Sequence, residues 1–242
     1  MDEIQRLCEL GQEQLMAMEY RQAECAFVQA EGLALAQNDF DALSRLYMPL
    51  QESRRQRRQR CGEGIIRLNL IAQNAAEIIS PEKIADQFPQ GQLLIAGWGT
   101  IQPATELRRL QEERGQYAET FLAAVYPIES ARVIAVVPTD EVALPAAEPM
   151  SIDRLLRRLP PHSVVFTEDQ LPRPQYSEVM ALWERLHAPY LAAADQEVDP
   201  MRKKIDAYRK TIRVDYACEL AHQHLSDLAR RICNHSLTHP DS

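Results

Sequence analysis

The sequence predicts an α/β protein in which a mixed sheet of about five strands, formed within residues 63–170, lies between helical segments at 1–62 and 171–242. Three observations lead there. Four short apolar runs, at 93–96, 121–126, 133–137 and 164–166, are mostly rich in β-branched or aromatic residues and bounded by Gly, Pro or charge, which suits buried strands better than pieces of core helix. Capped helical segments separate several of these runs. Outside that region, apolar residues recur at helical spacing.

The first forty residues carry two such sets, Leu7, Leu10, Gly11 and Leu15, then Ala23, Phe27, Ala30 and Ala34. Only residues 18–22 separate them, so a tight helical hairpin is expected, with small residues allowing close backbone approach. Through Leu7, Leu10, Gly11, Tyr20, Ala23, Phe27 and Ala30 this hairpin resembles a tetratricopeptide repeat. It departs at Gln14, where that family has a large apolar residue, and at Met18, where it has a turn glycine. A second repeat opens at Asn38 and Asp39 with Ala42, Leu43, Leu46 and Tyr47, but no matching partner helix follows. Stacked repeats normally number about three, so the hairpin is expected to lean on the α/β region or on another chain. The resemblance implies a non-enzymatic role in protein-protein interaction or as a scaffold.

A long helix is expected over 39–60, with Asn38 or Asp39 as its cap, Leu43, Leu46, Tyr47 and Leu50 on one face, and a kink at Pro49. Its end is basic: Arg54, Arg55, Arg57, Arg58 and Arg60 fall within seven positions, spread around the circumference, and cannot all be buried. They read either as a solvated helix end favoured by the macrodipole or as a docking site, with Arg54, Arg55, Arg57 and Arg58 meeting an acidic protein partner. A competitor lies in the same chain, because residues 1–53 hold ten acids against Arg6, Arg21 and Arg45.

Gly62 and Gly64 stop this helix. Ile66, Leu68 and Leu70 then alternate with Arg67 and Asn69, predicting a half-wet strand near a sheet edge. Ser80 and Pro81 open a helix that ends near 88–91, and the wholly apolar second strand at 92–96 belongs in the sheet interior. Gly97, Trp98, Gly99 and Thr100 follow, ahead of a helix over 103–114 stopped by Gly115. A glycine-containing strand-to-helix loop is where α/β proteins hold anions, so this loop is the alternative site, for a nucleotide or small molecule. It lacks both the G-x-G-x-x-G spacing and the Lys-Ser/Thr of a P-loop.

The strands at 117–126 and 131–138 are joined too tightly for a parallel crossover and predict an antiparallel hairpin. A Pro-containing loop, a short helix capped by Ser151, and a last strand at 163–167 complete the sheet region. The turn Leu171, Pro172, Arg173, Pro174 marks a boundary. Two amphipathic helices are expected beyond it, one through Val179, Leu182, Trp183 and Leu186, and a longer one from Ile205 to Ile232 that turns back near 195–200. Arg209 with Asp206 and Asp215 reads as part of a salt-bridged outer face, and the chain after 233 is expected to fray.

With 35 acidic and 27 basic side chains, a formal charge of −8 argues against general phosphate-backbone binding. No run of about eighteen apolar residues predicts a membrane span, and the N-terminal residues lack a secretory pattern, so a cytoplasmic location is expected. The five cysteines are widely spaced without a C-x-x-C pair and read as reduced thiols. Two Glu-x-x-His motifs, Glu184 with His187 and Glu219 with His222, have the look of a metal-ligand pair. In an antiparallel hairpin they would sit about 12 Å apart along the axes, so no metal, cofactor or catalytic set is expected, and these histidines read as ordinary helix residues.

Overall fold

The computed structural model describes residues 2–128, 131–197 and 201–238, with side chains through Asn234. In chain order its elements are α1 (Glu3–Met16), α2 (Tyr20–Gln37), α3 (Phe40–Gly62), β1 (Ile65–Ile71), α4 (Pro81–Gln87), β2 (Gln90–Trp98), α5 (Gln102–Glu113), β3 (Tyr117–Ile128) and β4 (Ala131–Val136). There follow α6 (Ile152–Arg158), β5 (Val164–Thr167), α7 (Tyr176–Gln196), α8 (Met201–Val214) and α9 (Glu219–Thr238). The expected α/β class holds, with a five-stranded mixed sheet and helical regions toward both termini. Residues 1, 129–130, 198–200 and 239–242 lie outside the described set.

The chain divides into two compact units, one made of Met1–Arg58 with His187–Ser242, the other of Gln59–Leu186. This differs from the three consecutive segments 1–62, 63–170 and 171–242. The two terminal segments share one core, and the divisions fall inside α3 and α7 rather than at the Pro-rich turn. Side-chain chemistry explains the second division. Val179, Leu182, Trp183 and Leu186 of α7 are buried with the sheet unit, Trp183 lying 4.3 Å from Phe121, whereas Leu191 and Ala194 belong to the helical core.

In the sheet unit the strand order is β1-β2-β3-β4-β5. β1, β2 and β3 run parallel, and β4 lies antiparallel to both β3 and β5, so the hairpin expected from the short connection forms as β3 and β4. One face packs Leu93, Ile95, Leu122, Ala124 and Tyr126 under Ala104 and Leu107 of α5 and Leu155 of α6. Ser80 and Ser151 accept the N–H groups of Lys83 and Arg154 and so start α4 and α6 where the sequence places them. β1 is an edge strand, as its half-wet pattern predicts, and its register slips between Arg67 and Leu70.

In the helical unit α1 and α2 form the expected hairpin. Ala23 and Ala30 are completely buried, and a Cβ added at Gly11 would stand 2.8 Å from the Phe27 ring, so only glycine allows that approach. The turn passes through Met18 at φ 62, a left-handed conformation more often taken by glycine. Leu43, Leu46, Tyr47 and Leu50 of α3 close on this hairpin together with Ile205 and Tyr208 of α8 and Ala221 and Leu225 of α9. The face of α3 opposite the hairpin's approach thus packs on helices from the other end of the chain, where Ser226 Oγ of α9 donates to the Ser44 carbonyl at 2.9 Å.

The structure corrects the C-terminal helix and the place of Asp215 in this unit. The single long helix from Ile205 to Ile232 is two helices, because Asp215 is 1% exposed and turns the chain: its Oδ1 accepts Ala217 N–H at 3.1 Å and its carbonyl accepts Cys218 N–H at 3.0 Å. Asp215 therefore leaves the outer face assigned to it. The backbone of α9 is helical as far as Thr238, and the rest of the tail expected to fray lies outside the described residues.

Candidate functional site

The arginine cluster is where sequence and structure differ most. Arg54 is 8% and Arg58 7% exposed, and they face inward. Glu24 of α2 takes Arg54 Nε at 2.9 Å and Arg57 Nη1 at 2.7 Å, and Arg58 pairs with Asp215 at 2.7 Å. Arg57 and Arg58 flank the Tyr216 ring at 4.8 and 5.0 Å. Arg55 points outward and pairs with its own neighbour Glu52 at 2.8 Å. The docking role expected of Arg54, Arg57 and Arg58 is accordingly corrected: the competitor inside the chain holds them, because a guanidinium beside the acidic α2 gains a fixed carboxylate at no association cost.

Both histidines of the Glu-x-x-His motifs enter this network while Glu184 and Glu219 stay exposed. His187 Nδ1 lies 2.7 Å from Asp215 Oδ2. Burial pushes its imidazole down, but the hydrogen bonds and charges of Asp215 and Cys218 together outweigh this and raise it to about 10, so it is a cation. His222 goes the other way. Burial, reinforced by the Arg54 charge, lowers it to about 4. Arg54 Nη1 donates to His222 Nε2 at 2.9 Å, which fits a neutral ring donating from Nδ1 to the Cys218 carbonyl at 2.8 Å. Burial opposes ionisation of Asp215 and Glu24 as well, yet their arginine partners hold both carboxyls below the usual range. The reading of these histidines as ordinary helix residues is corrected. His222 is a buried and His187 a half-buried member of an ionic core, and among the described residues no group of three or more His, Cys, Asp or Glu is placed to hold a metal ion.

The alternative loop is a closed turn. Gly97 and Trp98 belong to the end of β2. Gly99, at φ 63, donates its N–H to the Val125 carbonyl at 2.9 Å, Thr100 N–H reaches the Gly97 carbonyl, and Gln102 N–H is capped by Thr100 Oγ1 at 3.1 Å. Ala147 packs on top, within 2.7 Å of where a Gly99 Cβ would be. The N–H groups an anion would need at this helix start are already used.

A surface site lies instead within the helical unit, between α1 and α3. A cleft of about 250 Å³ opens there over a floor of Ile4, Phe27 and Leu46. Gln5, Cys8, Glu9 and Gln12 of α1 face Ala42, Arg45 and Pro49 of α3 across it. Each wall follows i, i+3, i+4, i+7 spacing, so one stripe of each helix is presented. Burial raises the Cys8 thiol, which makes it a poor nucleophile. Glu9 accepts Gln5 Nε2 at 2.8 Å and Arg45 pairs with Asp41 at 2.8 Å, both in the open. Sequence reasoning missed this cleft because its wall residues are polar or small. The signal available was the matching helical spacing of Gln5, Cys8, Glu9 and Gln12 in α1 and of Ala42, Arg45, Leu46 and Pro49 in α3.

Compared with known proteins, the chain matches no family model, no curated protein and no solved structure. Its chemistry must be read from the site itself. No described helix is long and apolar enough to cross a membrane.

Proposed function

We propose that this protein is a binding module that holds a segment of another protein in the α1/α3 cleft and carries out no turnover. The observation that carries the reading is the cleft itself: an apolar floor for one anchoring side chain, with amide and charged groups on the rim to orient a backbone. The resemblance of the α1/α2 hairpin to a tetratricopeptide repeat points the same way, since such repeats bind through the face shared by successive first helices.

The chemistry of the partner changes with the arginine network. With Glu24 and Glu31 matched internally by Arg54, Arg57 and Arg209, the open charge on residues 1–53 is dominated by acids, Glu9 on the cleft rim among them. The fitting segment presents an apolar anchor beside a basic side chain, in place of an acidic surface.

A benzophenone side chain at Gln12, exposed on the rim, should cross-link such a partner in the native cell. The captured segment, made as a peptide, should bind the purified chain and lose at least tenfold in affinity to Glu9→Arg, while Arg230→Gln on exposed α9 leaves it unchanged. Equal binding by wild type and Glu9→Arg would sink the proposal, as would tight binding of a nucleotide that Gly99→Val abolishes.

A further inference from the structure

Proline has no N–H, so inside a helix it leaves the carbonyl four residues earlier without its donor, and its ring crowds that carbonyl. α3 carries such a residue in Pro49, and the carbonyl concerned is that of Arg45. The serine hydroxyls of α3 do not make up the loss. Ser44 Oγ donates to the Asp41 carbonyl and Ser53 Oγ to the Leu50 carbonyl, each at 2.8 Å. A carbonyl deprived of its helical donor calls for another one.

This acceptor borders the α1/α3 cleft. Residues four apart lie one above the other on a helix face, so the gap left by the missing N–H falls between Arg45 and Pro49, and both line the cleft. Ile4, Phe27 and Leu46 form the floor beneath, and Glu9 of α1 stands exposed on the opposite wall. The charges that act on the Cys8 thiol in that wall are those of Arg45, Asp39 and Glu9. Asp41 holds the Arg45 guanidinium at 2.8 Å, so the charge left over at the cleft is negative.

Resting on the reading of this cleft as the seat of a protein segment, we infer that the segment's basic residue is a lysine whose ammonium group donates to the Arg45 carbonyl freed by Pro49. A lysine lays its four-carbon stem on apolar surface and keeps its charged end at a polar rim. The floor and Glu9 present that same division. Lysine is favoured over arginine by the acceptors. A lone carbonyl suits the compact, rotatable donors of an ammonium group, whereas the planar fork of arginine is matched by both oxygens of one carboxylate. One Glu9 oxygen already accepts Gln5 Nε2 at 2.8 Å. Pro49 is thereby a specificity-determining residue, acting through the backbone.

n-Butylammonium reproduces the lysine side chain and serves as the probe. n-Butyltrimethylammonium, equal in stem and charge but without an N–H, is its control. Titrated into the isotope-labelled full chain, butylammonium should shift the Arg45 carbonyl resonance and bind about tenfold more tightly than the control. Pro49→Ala returns an N–H to the helix. It should weaken butylammonium and the captured segment by about tenfold each, without lowering Tm. Equal binding of the two probes to the wild type overturns the inference whether or not the variant folds well. A captured segment held equally by wild type and Pro49→Ala overturns it too. The binding-module reading fails separately: cross-linking from Gln12 would then yield no partner, while a butylammonium shift at Arg45 would leave the ammonium site standing.

Discussion

The two units solve the problem of a core in opposite ways. The sheet unit buries a mainly apolar layer, with Leu93, Leu94, Ile95, Leu122 and Ala123 at zero exposure, and its buried polar groups Gln92, Glu119, Thr120 and Gln111 include a single charge. The helical unit buries Leu43, Leu50 and Ala221 too, but runs six charged or titratable side chains, Glu24, Glu31, Arg54, Arg58, Asp215 and His222, through its interior. Apolar packing is indifferent to partner identity, whereas a buried carboxylate is tolerable only where its cation has arrived. The helical unit is assembled from two distant stretches of chain, and its ionic core can be completed only when both are in place. An apolar core of that kind would be satisfied by looser associations.

The largest test of that contrast is Arg58→Ala. It leaves Asp215 buried opposite a single histidine and should cost about 3–5 kcal/mol, seen as faster amide exchange in α3, α8 and α9. Leu93→Ala in the sheet should cost about 2–5 kcal/mol through cavity formation, read by Trp98 and Trp183, the only tryptophans and both in that unit. If each substitution disturbs the two units equally, the separation of their cores has no energetic meaning.

Acidity should distinguish them next. His187 is raised from 6.5 to about 10, so its contribution is complete below pH 6.5 and is lost as pH rises toward 10. His222 is lowered to about 4. Between pH 6.5 and 4 the unfolded chain takes up a proton that the folded chain refuses, and stability falls with acidification. The lowered Asp215 carboxyl adds a further loss at still lower pH. Denaturation followed by exchange in α3 and α9 should give a stability maximum near pH 6.5, with His187→Gln flattening the alkaline limb; a flat profile would contradict the ionic-core account.

Smaller effects refine the picture. Ala23→Phe should overpack the α1/α2 contact and cost about 1–3 kcal/mol, lowering Tm; an unchanged Tm would mean the hairpin has slack at its tightest point. Arg109→Gln should leave Tm where it is. Arg109 binds both Glu106 and Glu113, but all of these partners stand in solvent, where such pairs contribute little.

What the sequence by itself determined are the features that repeat locally. Alternation in β1, the apolar runs within β2 and β3, caps at Ser80 and Ser151, and the short β3 to β4 connection each depend on residues within a dozen positions, so strand type, edge placement and helix starts were legible. The α1/α2 hairpin was legible for the same reason. What only the tertiary structure decided is which distant groups meet. Glu24 finds Arg54 thirty residues away, Arg54 finds His222 a further 168 along, and Asp215 breaks a helix that periodicity alone would continue. A charged side chain reads the same in sequence whether water or a buried partner solvates it. Only the fold chooses between them, because the energy that decides comes from desolvation and partner geometry and neither has a period along the chain.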